Sequence, residues 1–182
     1  MFERYTQKAR RVMFFARYEA SQYGSPYIES ECLLLGVLRE DLALVTRFLG
    51  PNSVAADIRA EVERRIPARE RISTSVEVPL TDECKKILNL AGEECERLGH
   101  RYVGTEHLLL AMLGAQTSLA ARLLRDRGVT PERIREQMAK TPGAAGLTAL
   151  QKPSIGAIAA LDSFLTGLKW YDWEKLAPFF RS

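Results

Sequence analysis

A chain of 182 residues, 46% of them hydrophobic, has enough apolar material for one or two domains with a core. Its 26 lysines and arginines against 23 aspartates and glutamates leave a net charge of +3, far below the dense basic surface of a nucleic-acid-binding protein. No apolar run approaches the roughly 20 residues of a membrane span, and the N-terminus lacks the apolar stretch of a signal peptide.

One phrase occurs twice in the chain. The stretch YIESECLLLGVL, residues 27–38, returns 75 residues later as YVGTEHLLLAML, residues 102–113. At this offset thirteen of positions 1–49 are identical in the two copies. The identical pairs include Thr6/Thr81, Gly24/Gly99 and Glu31/Glu106. Beyond position 49 the second copy gains one residue, so that Ile58 corresponds to Ile134. A fixed internal period of this kind indicates a duplication.

Each copy is predicted to begin with two helices. Apolar residues recur at helical spacing in the first helix of each copy, at Val12, Phe15, Ala16 and Tyr23 and at Ile87, Leu90, Ala91 and Leu98. Gly24 and Gly99 are expected to end these first helices. Ser30 and Thr105 are expected to be the N-caps of the second helices, which carry the leucine runs.

A third and a fourth helix follow in each copy. Their apolar positions are Leu44, Phe48, Leu49, Ile58 and Val62, and Leu119, Leu123, Leu124, Ile134 and Met138. Pro131 suits the first turn of the last helix. No strand pattern competes, so we predict an all-α domain of two tandem four-helix repeats. Packing the halves across a pseudo-two-fold axis would bury the apolar faces that each half leaves open.

The boundaries follow from composition. Repeat one is placed at 1–66 and repeat two at 79–140, separated by PARERISTSVEV, a linker at 67–78 with little helical pattern. A second linker, rich in proline, glycine and alanine, is placed at 141–153. A helical tail is predicted for 154–182.

Both repeats carry a family resemblance. FERYTQKARRVMFFARYEA, YIESECLLLGVL, TDECKKILNLAGEECERLGHRYVGTEHLLLAML and GVTPERIREQM resemble the duplicated N-terminal domain of the Clp/Hsp100 unfoldases, in particular the ClpC branch. The resemblance covers roughly residues 1–140 and implies a module that binds substrates, adaptors or the Clp unfoldase itself. The chain has no GxxxxGK[ST] phosphate loop and is too short for an ATPase module, so a free-standing form of the domain is expected.

Two departures from the family pattern distinguish this chain. The first copy has ESEC, residues 29–32, where the family usually has GTEH. The stretch EGEG that usually follows the second helix is replaced by EDLALV in one copy and AQTSLA in the other. The two halves are therefore not expected to be functionally equal.

The repeated threonine and glutamate have two interpretations. The structural one is the simpler for each residue alone: Thr6 and Thr81 are N-caps, and Glu31 and Glu106 meet the positive end of a helix dipole, worth about 0.3–1 kcal/mol. In the functional one, the helix N-terminus binds an anion and the carboxylate binds a guanidinium. A phosphorylated arginine offers both groups. The resemblance implies this ligand, with Thr6 and Glu31 as one site and Thr81 and Glu106 as the other.

The three cysteines indicate a core role. Cys84 and Cys95 lie on one face of a predicted helix, and the first copy has alanine at both positions, so we expect both thiols to be buried. An odd number of scattered cysteines does not suggest a disulfide framework, which favours a reduced, cytoplasmic protein.

The two histidines do not indicate a metal site or a catalytic site. His100 is expected to be exposed in the turn after the first helix of repeat two, and His107 follows Glu106. Neither has the neighbours of a metal site or of a nucleophilic triad. We therefore expect no metal, no cofactor and no enzymatic activity.

The predicted tail is apolar and aromatic. A helix starting at Ser154 would be followed by Trp170, Trp173, Phe179 and Phe180, which are candidate partner-binding residues. The tail would fold back over the domain, form a homodimer, or enter a partner's groove. Folding back or dimerisation is favoured, because a free segment this apolar invites aggregation.

Taken together, these patterns favour a non-catalytic protein-binding module of the Clp protease system. Its expected partners are the Clp ATPase, adaptors or substrate proteins, with no nucleic acid and no membrane. The alternative is a structural or oligomeric scaffold whose binding sites have decayed.

Overall fold

The computed structural model describes residues 4–67, 69–73 and 76–140, and within these ranges it contains eight helices. They are α1 Gln7–Gln22, α2 Ser30–Glu40, α3 Leu42–Phe48, α4 Asn52–Arg65, α5 Asp82–Arg97, α6 Thr105–Gly114, α7 Leu119–Arg125 and α8 Pro131–Lys140. The described ranges contain two isolated β-bridges and no longer strand. The all-α prediction is confirmed. The predicted 141–153 linker and the 154–182 tail, with Trp170, Trp173, Phe179 and Phe180, lie outside the described residues.

Local sequence signals place the first helix of each repeat. The hydroxyl oxygens of Thr6 and Thr81 accept hydrogen bonds from the N–H groups of Ala9 and Cys84, each at 3.2 Å. After the helices end, Gly24 and Gly99 adopt φ angles of 65° and 67°, a conformation that glycine reaches without strain. The predicted caps and terminators of α1 and α5 are confirmed.

The second helices begin one residue earlier than expected. Ser30 and Thr105 are the first helical residues, and the N-cap positions are Glu29 and Gly104. The prediction that Ser30 and Thr105 are N-caps was wrong. The hydroxyl of Thr105 instead donates to the carboxylate of Asp41 at 2.8 Å, a contact between the two halves.

The leucine runs form the centre of the core. Residues 33–35 and 108–110 are at most 3% exposed, so α2 and α6 are buried along most of their length. Cys32, Cys84 and Cys95 are buried free thiols, as predicted for the last two. No single helix in the described ranges is long and apolar enough to cross a membrane; α6 and α7 meet that criterion only as a pair, with a bend of 101° between them.

A partly buried ion pair, repeated in each half, connects the first and fourth helices. In repeat one the guanidinium of Arg59 on α4 donates two hydrogen bonds of 2.9 Å to the carboxylate of Glu19 on α1. In repeat two Arg135 on α8 donates to Glu94 on α5 at 2.8 and 3.3 Å. The glutamates are related by the 75-residue offset and the arginines by 76. We call these pairs the Glu–Arg clamps.

Helices α1 and α2 pack with very close backbones at Gly36. A Cβ at this position would lie 2.5 Å from the carbonyl oxygen of Val12 and 3.0 Å from the nitrogen of Ala16. The equivalent residue of α6 is Ala111. Helix α1 therefore approaches α2 at a distance that only glycine permits.

Gly36→Ala is expected to destabilise the domain by about 1–3 kcal/mol, because the obstructing atoms belong to the backbone of α1 and cannot rotate away. Gly92 in α5 is the matched control, since nothing lies within 4 Å of a Cβ built there. Gly92→Ala should stabilise by about 0.5–1 kcal/mol through helix propensity. Urea unfolding of both variants measures the difference. A Gly36→Ala midpoint at or above that of the parent would contradict the close packing.

Candidate functional site

The N-terminus of each first helix lies against the other repeat. The N–H of Thr6 donates to the carbonyl of Val103 at 2.9 Å, and the N–H of Thr81 donates to the carbonyl of Ile28 at 3.1 Å. The two parallel bridges, Tyr5 with Val103 and Ile28 with Leu80, are related by the 75-residue offset. This exchange of equivalent contacts is the pseudo-two-fold relation expected from the repeat.

The bridges correct the predicted pairing of threonine and glutamate. Residue 103 leads directly into α6, which carries Glu106, and residue 28 leads into α2, which carries Glu31. Thr6 therefore lies beside the start of the helix with Glu106, and Thr81 beside the start of the helix with Glu31. The predicted pairs, Thr6 with Glu31 and Thr81 with Glu106, were wrong.

The antiparallel packing of α1 and α2 is the reason. The ammonium of Lys8, near the start of α1, is 3.0 Å from the carboxylate of Asp41, just beyond the end of α2. Glu31 lies at the opposite end of this 11-residue helix, which is about 16 Å long at 1.5 Å per residue. Each site is thus built from both halves of the molecule.

We define crossed site one as Thr6, Lys8, Asp41, Thr105 and Glu106. Asp41 connects its parts, because one carboxylate oxygen faces the ammonium of Lys8 at 3.0 Å and the other accepts from Thr105 at 2.8 Å. Glu106 is half-buried, and the Thr105 hydroxyl lies 3.4 Å from its carboxylate. Among the described residues this carboxylate makes no ion pair. It is therefore free to pair with a cationic group of a ligand.

We define crossed site two as Thr81, Glu83, Glu29, Ser30 and Glu31. The hydroxyl of Ser30 donates to the carboxylate of Glu31 at 3.1 Å. The pKa of Glu31 is raised, first because the side chain is desolvated and then because the carboxylates of Glu29 and Glu83 repel its charge. Crossed site two is consequently more acidic than crossed site one.

The loop that leads into α6 is held by a histidine. His107 is fully buried, and its Nδ1 accepts the N–H of Gly104 at 2.9 Å. Its Nε2 therefore carries the proton and lies 2.9 Å from Nδ1 of His100. Burial and the neighbouring His100 lower the pKa of His107 to about 4. His100 is half-buried, so the prediction that it is exposed was wrong.

Sequence reasoning proposed the two threonines and two glutamates as site residues but did not single out the polar residues by which the two crossed sites differ. Lys8 and Glu83 occupy equivalent positions with opposite charge, a difference visible at the same offset as Thr6/Thr81. Asp41 and Thr105 gave no such signal, because their contact spans 64 residues. In the described part of the chain no group of three or more potential ligand side chains is placed to hold a metal ion.

The fold is that of an internally duplicated, all-α domain whose two halves exchange equivalent contacts. The chain belongs to the family described as the Clp repeat (R) N-terminal domain, whose profile matches residues 4–127 and, in a second match, 79–148. The resemblance inferred from the repeats is confirmed.

Three relatives illustrate the match. The chloroplastic chaperone protein ClpC of Pisum sativum is 38% identical over 144 residues, covering 79% of this chain and 16% of the relative. The N-terminal domain of the chaperone ClpD from Arabidopsis thaliana has a TM-score of 0.61 and 26% identity, covering 83% of this chain and 100% of that one. The N-terminal domain of Hsp104 from Candida albicans, with a TM-score of 0.56, 17% identity and coverage of 74% and 89%, shares the fold. The chain thus spans only a small part of its curated full-length relatives.

Proposed function

We propose that this domain is a non-catalytic protein-binding module of a Clp protease system. Membership of the Clp repeat family supports the assignment, and so does a fold whose conspicuous polar features are two sites shared between the halves. Its partners are substrate proteins, adaptors or the Clp unfoldase itself.

The sharper form of the proposal is recognition of phosphorylated arginine at crossed site one. The supporting observation is that the start of the 16-residue helix α1 is bonded to Val103 of the opposite repeat, directly before the helix that carries the half-buried Glu106. The first N–H groups of a helix have no intrahelical acceptor and attract an anion. A carboxylate without an ion pair grips a guanidinium through two hydrogen bonds. Phosphoarginine presents both groups within one side chain.

Glu106→Gln is expected to weaken binding of free phosphoarginine by at least roughly tenfold, because the amide keeps the shape but loses the charge that pairs with the guanidinium. Isothermal titration calorimetry measures the change. Glu132→Gln is the matched control, since Glu132 is exposed and also lies in the first turn of a helix. Equal affinities for the parent and Glu106→Gln would contradict the role of Glu106.

The broader form is tested by capture of Clp components. The immobilised domain, incubated with the purified Clp ATPase and an arginine-phosphorylated model substrate, should retain at least one of them. Retention of neither would favour the scaffold alternative. The acidic side chains collected in crossed site two are the observation that favours partial decay of the original binding function.

A further inference from the structure

We propose that the two crossed sites have diverged, so that a phosphoarginine group binds crossed site one alone, with one ligand per chain. This inference rests on the proposed function and assigns a specificity-determining role to Lys8 and Glu83. The differences between the two copies support this inference, because each site combines residues of both repeats. The stretch GTEH, residues 104–107, lies with Lys8 in crossed site one, whereas ESEC, residues 29–32, lies with Glu83 in crossed site two.

Crossed site one holds a cation where the phosphoryl group would arrive. The ammonium of Lys8 sits in the first turn of α1 and is connected through Asp41 to Thr105 at the start of α6. Its side chain is 39% exposed, so it can turn toward an anion at the helix N-terminus. Lys8 and the helix dipole then attract the phosphoryl group, while Glu106 attracts the guanidinium.

Crossed site two presents carboxylates in the corresponding places. Glu83 replaces the lysine, and after desolvation, the main cause, its charge and that of Glu29 contribute to the raised pKa of Glu31. A phosphoryl group at the start of α5 would meet this negative charge. The position that supplies a cation in crossed site one, Lys8, holds a carboxylate here. This repulsion opposes the attraction of the helix terminus, which contributes only about 0.3–1 kcal/mol.

The backbone entry to the two sites differs as well. Gly104 precedes α6, and a Cβ at this position would lie 3.1 Å from the carboxylate of Glu106. Glycine therefore leaves the carboxylate of crossed site one accessible. The equivalent position in crossed site two is Glu29, whose carboxylate is within 3.4 Å of the hydroxyl of Ser25. Crossed site two thus carries an additional carboxylate where crossed site one has none, and this difference in charge favours crossed site one.

Titration of the parent chain with free phosphoarginine tests the inference, with calorimetry for stoichiometry and ¹⁵N NMR for location. One equivalent is expected, with amide shifts at Thr6 and Thr105 and none at Thr81 and Ser30. Two equivalents, or shifts at Thr81, would overturn the divergence and leave the proposed function standing. Absence of any binding would overturn both this inference and the phosphoarginine form of the proposed function.

Charge-reversal variants at both positions assign the roles of Lys8 and Glu83. Lys8→Glu should weaken binding by roughly tenfold or more, and Lys8→Gln should weaken it less, because charge reversal adds repulsion to the lost attraction. Glu83→Lys combined with Glu29→Gly should create a second binding event reported by the Thr81 amide. Parent-like affinity in Lys8→Glu, or a silent crossed site two in the double variant, would overturn the proposed discrimination.

Discussion

Arg59→Ala is expected to be among the most destabilising single changes in this domain, with a loss of about 3 kcal/mol. The variant removes the guanidinium that makes two 2.9 Å hydrogen bonds to Glu19, a carboxylate whose side chain is only 3% exposed. Removing one member of a buried pair typically costs 3–5 kcal/mol, because the remaining charge stays buried. The lower end applies because Arg39 also contacts Glu19, at 3.3 Å, and Arg59 is 36% exposed.

The second Glu–Arg clamp supplies the matched comparison. Arg135→Ala removes the equivalent guanidinium from Glu94, which is 10% exposed and keeps a second partner, Arg97, at 2.9 Å. A smaller loss is expected, because the orphaned carboxylate is closer to water. Arg59→Lys should fall between Arg59→Ala and the parent, since it retains the charge but not the paired hydrogen bonds.

Chemical denaturation of the three variants, followed by circular dichroism, gives the free energies of unfolding. A loss below about 1 kcal/mol for Arg59→Ala would show that the pair behaves as a surface salt bridge. A larger loss for Arg135→Ala than for Arg59→Ala would contradict the ranking by burial.

Helix positions were readable from the sequence where the signals are local. Thr6 and Thr81 lie three residues before the backbone N–H groups that they cap, so their role depends on nothing farther along the chain. The same argument failed at Thr105, whose hydroxyl had a competing acceptor on Asp41, in the other repeat. A local propensity predicts a cap only where no tertiary partner takes the hydroxyl.

An internal duplication does not say whether equivalent residues meet within one copy or between copies. The crossing was nevertheless accessible to physical reasoning, because only residues 23–29 connect α1 to α2. So short a connection makes packed helices antiparallel, which places Thr6 and Glu31 at opposite ends of the pair. The sequence did not show which element lies beside Thr6 instead. In the structure it is the start of α6.

The Glu–Arg clamps show that burial is harder to predict from the sequence than residue equivalence. Glu19 and Glu94 are identical at the offset of 75, and Arg59 and Arg135 at 76, so the residues were visible as repeated charges. A repeated charge on a helix is equally consistent with an exposed face, and whether the charge is buried depends on tertiary packing that no local pattern records. The same holds for the candidate crossed sites. The opposite charges of Lys8 and Glu83 are visible in the sequence, but their role depends on residues of the other repeat that only the structure places beside them.

Acidification from pH 6.5 to 4 is expected to remove about 3 kcal/mol of stability through His107. Its pKa falls from 6.5 in the unfolded chain to about 4 in the folded domain, because the imidazole is fully buried and faces His100; Glu94 acts weakly in the opposite direction. Between these values the unfolded state binds more protons, so stability is complete above pH 6.5 and decreases as the pH falls toward 4. Protonation also removes the Nδ1 acceptor that holds the N–H of Gly104 at the entry to crossed site one.

His107→Cys isolates this contribution, because Cys32 fills the equivalent position in repeat one and lies beside the backbone N–H of Glu29. The variant should be less stable at pH 7 but should lose less stability on acidification than the parent. The quantity to compare is the difference in slope between parent and variant. Glu31 and Glu40 have raised pKa values, so in both proteins they make the domain less stable as the pH rises, opposite to His107. Urea midpoints measured between pH 7 and 4 provide the slopes. Parallel curves for parent and variant would mean that His107 is not held neutral by its burial, and that the α6 entry is fixed by other contacts.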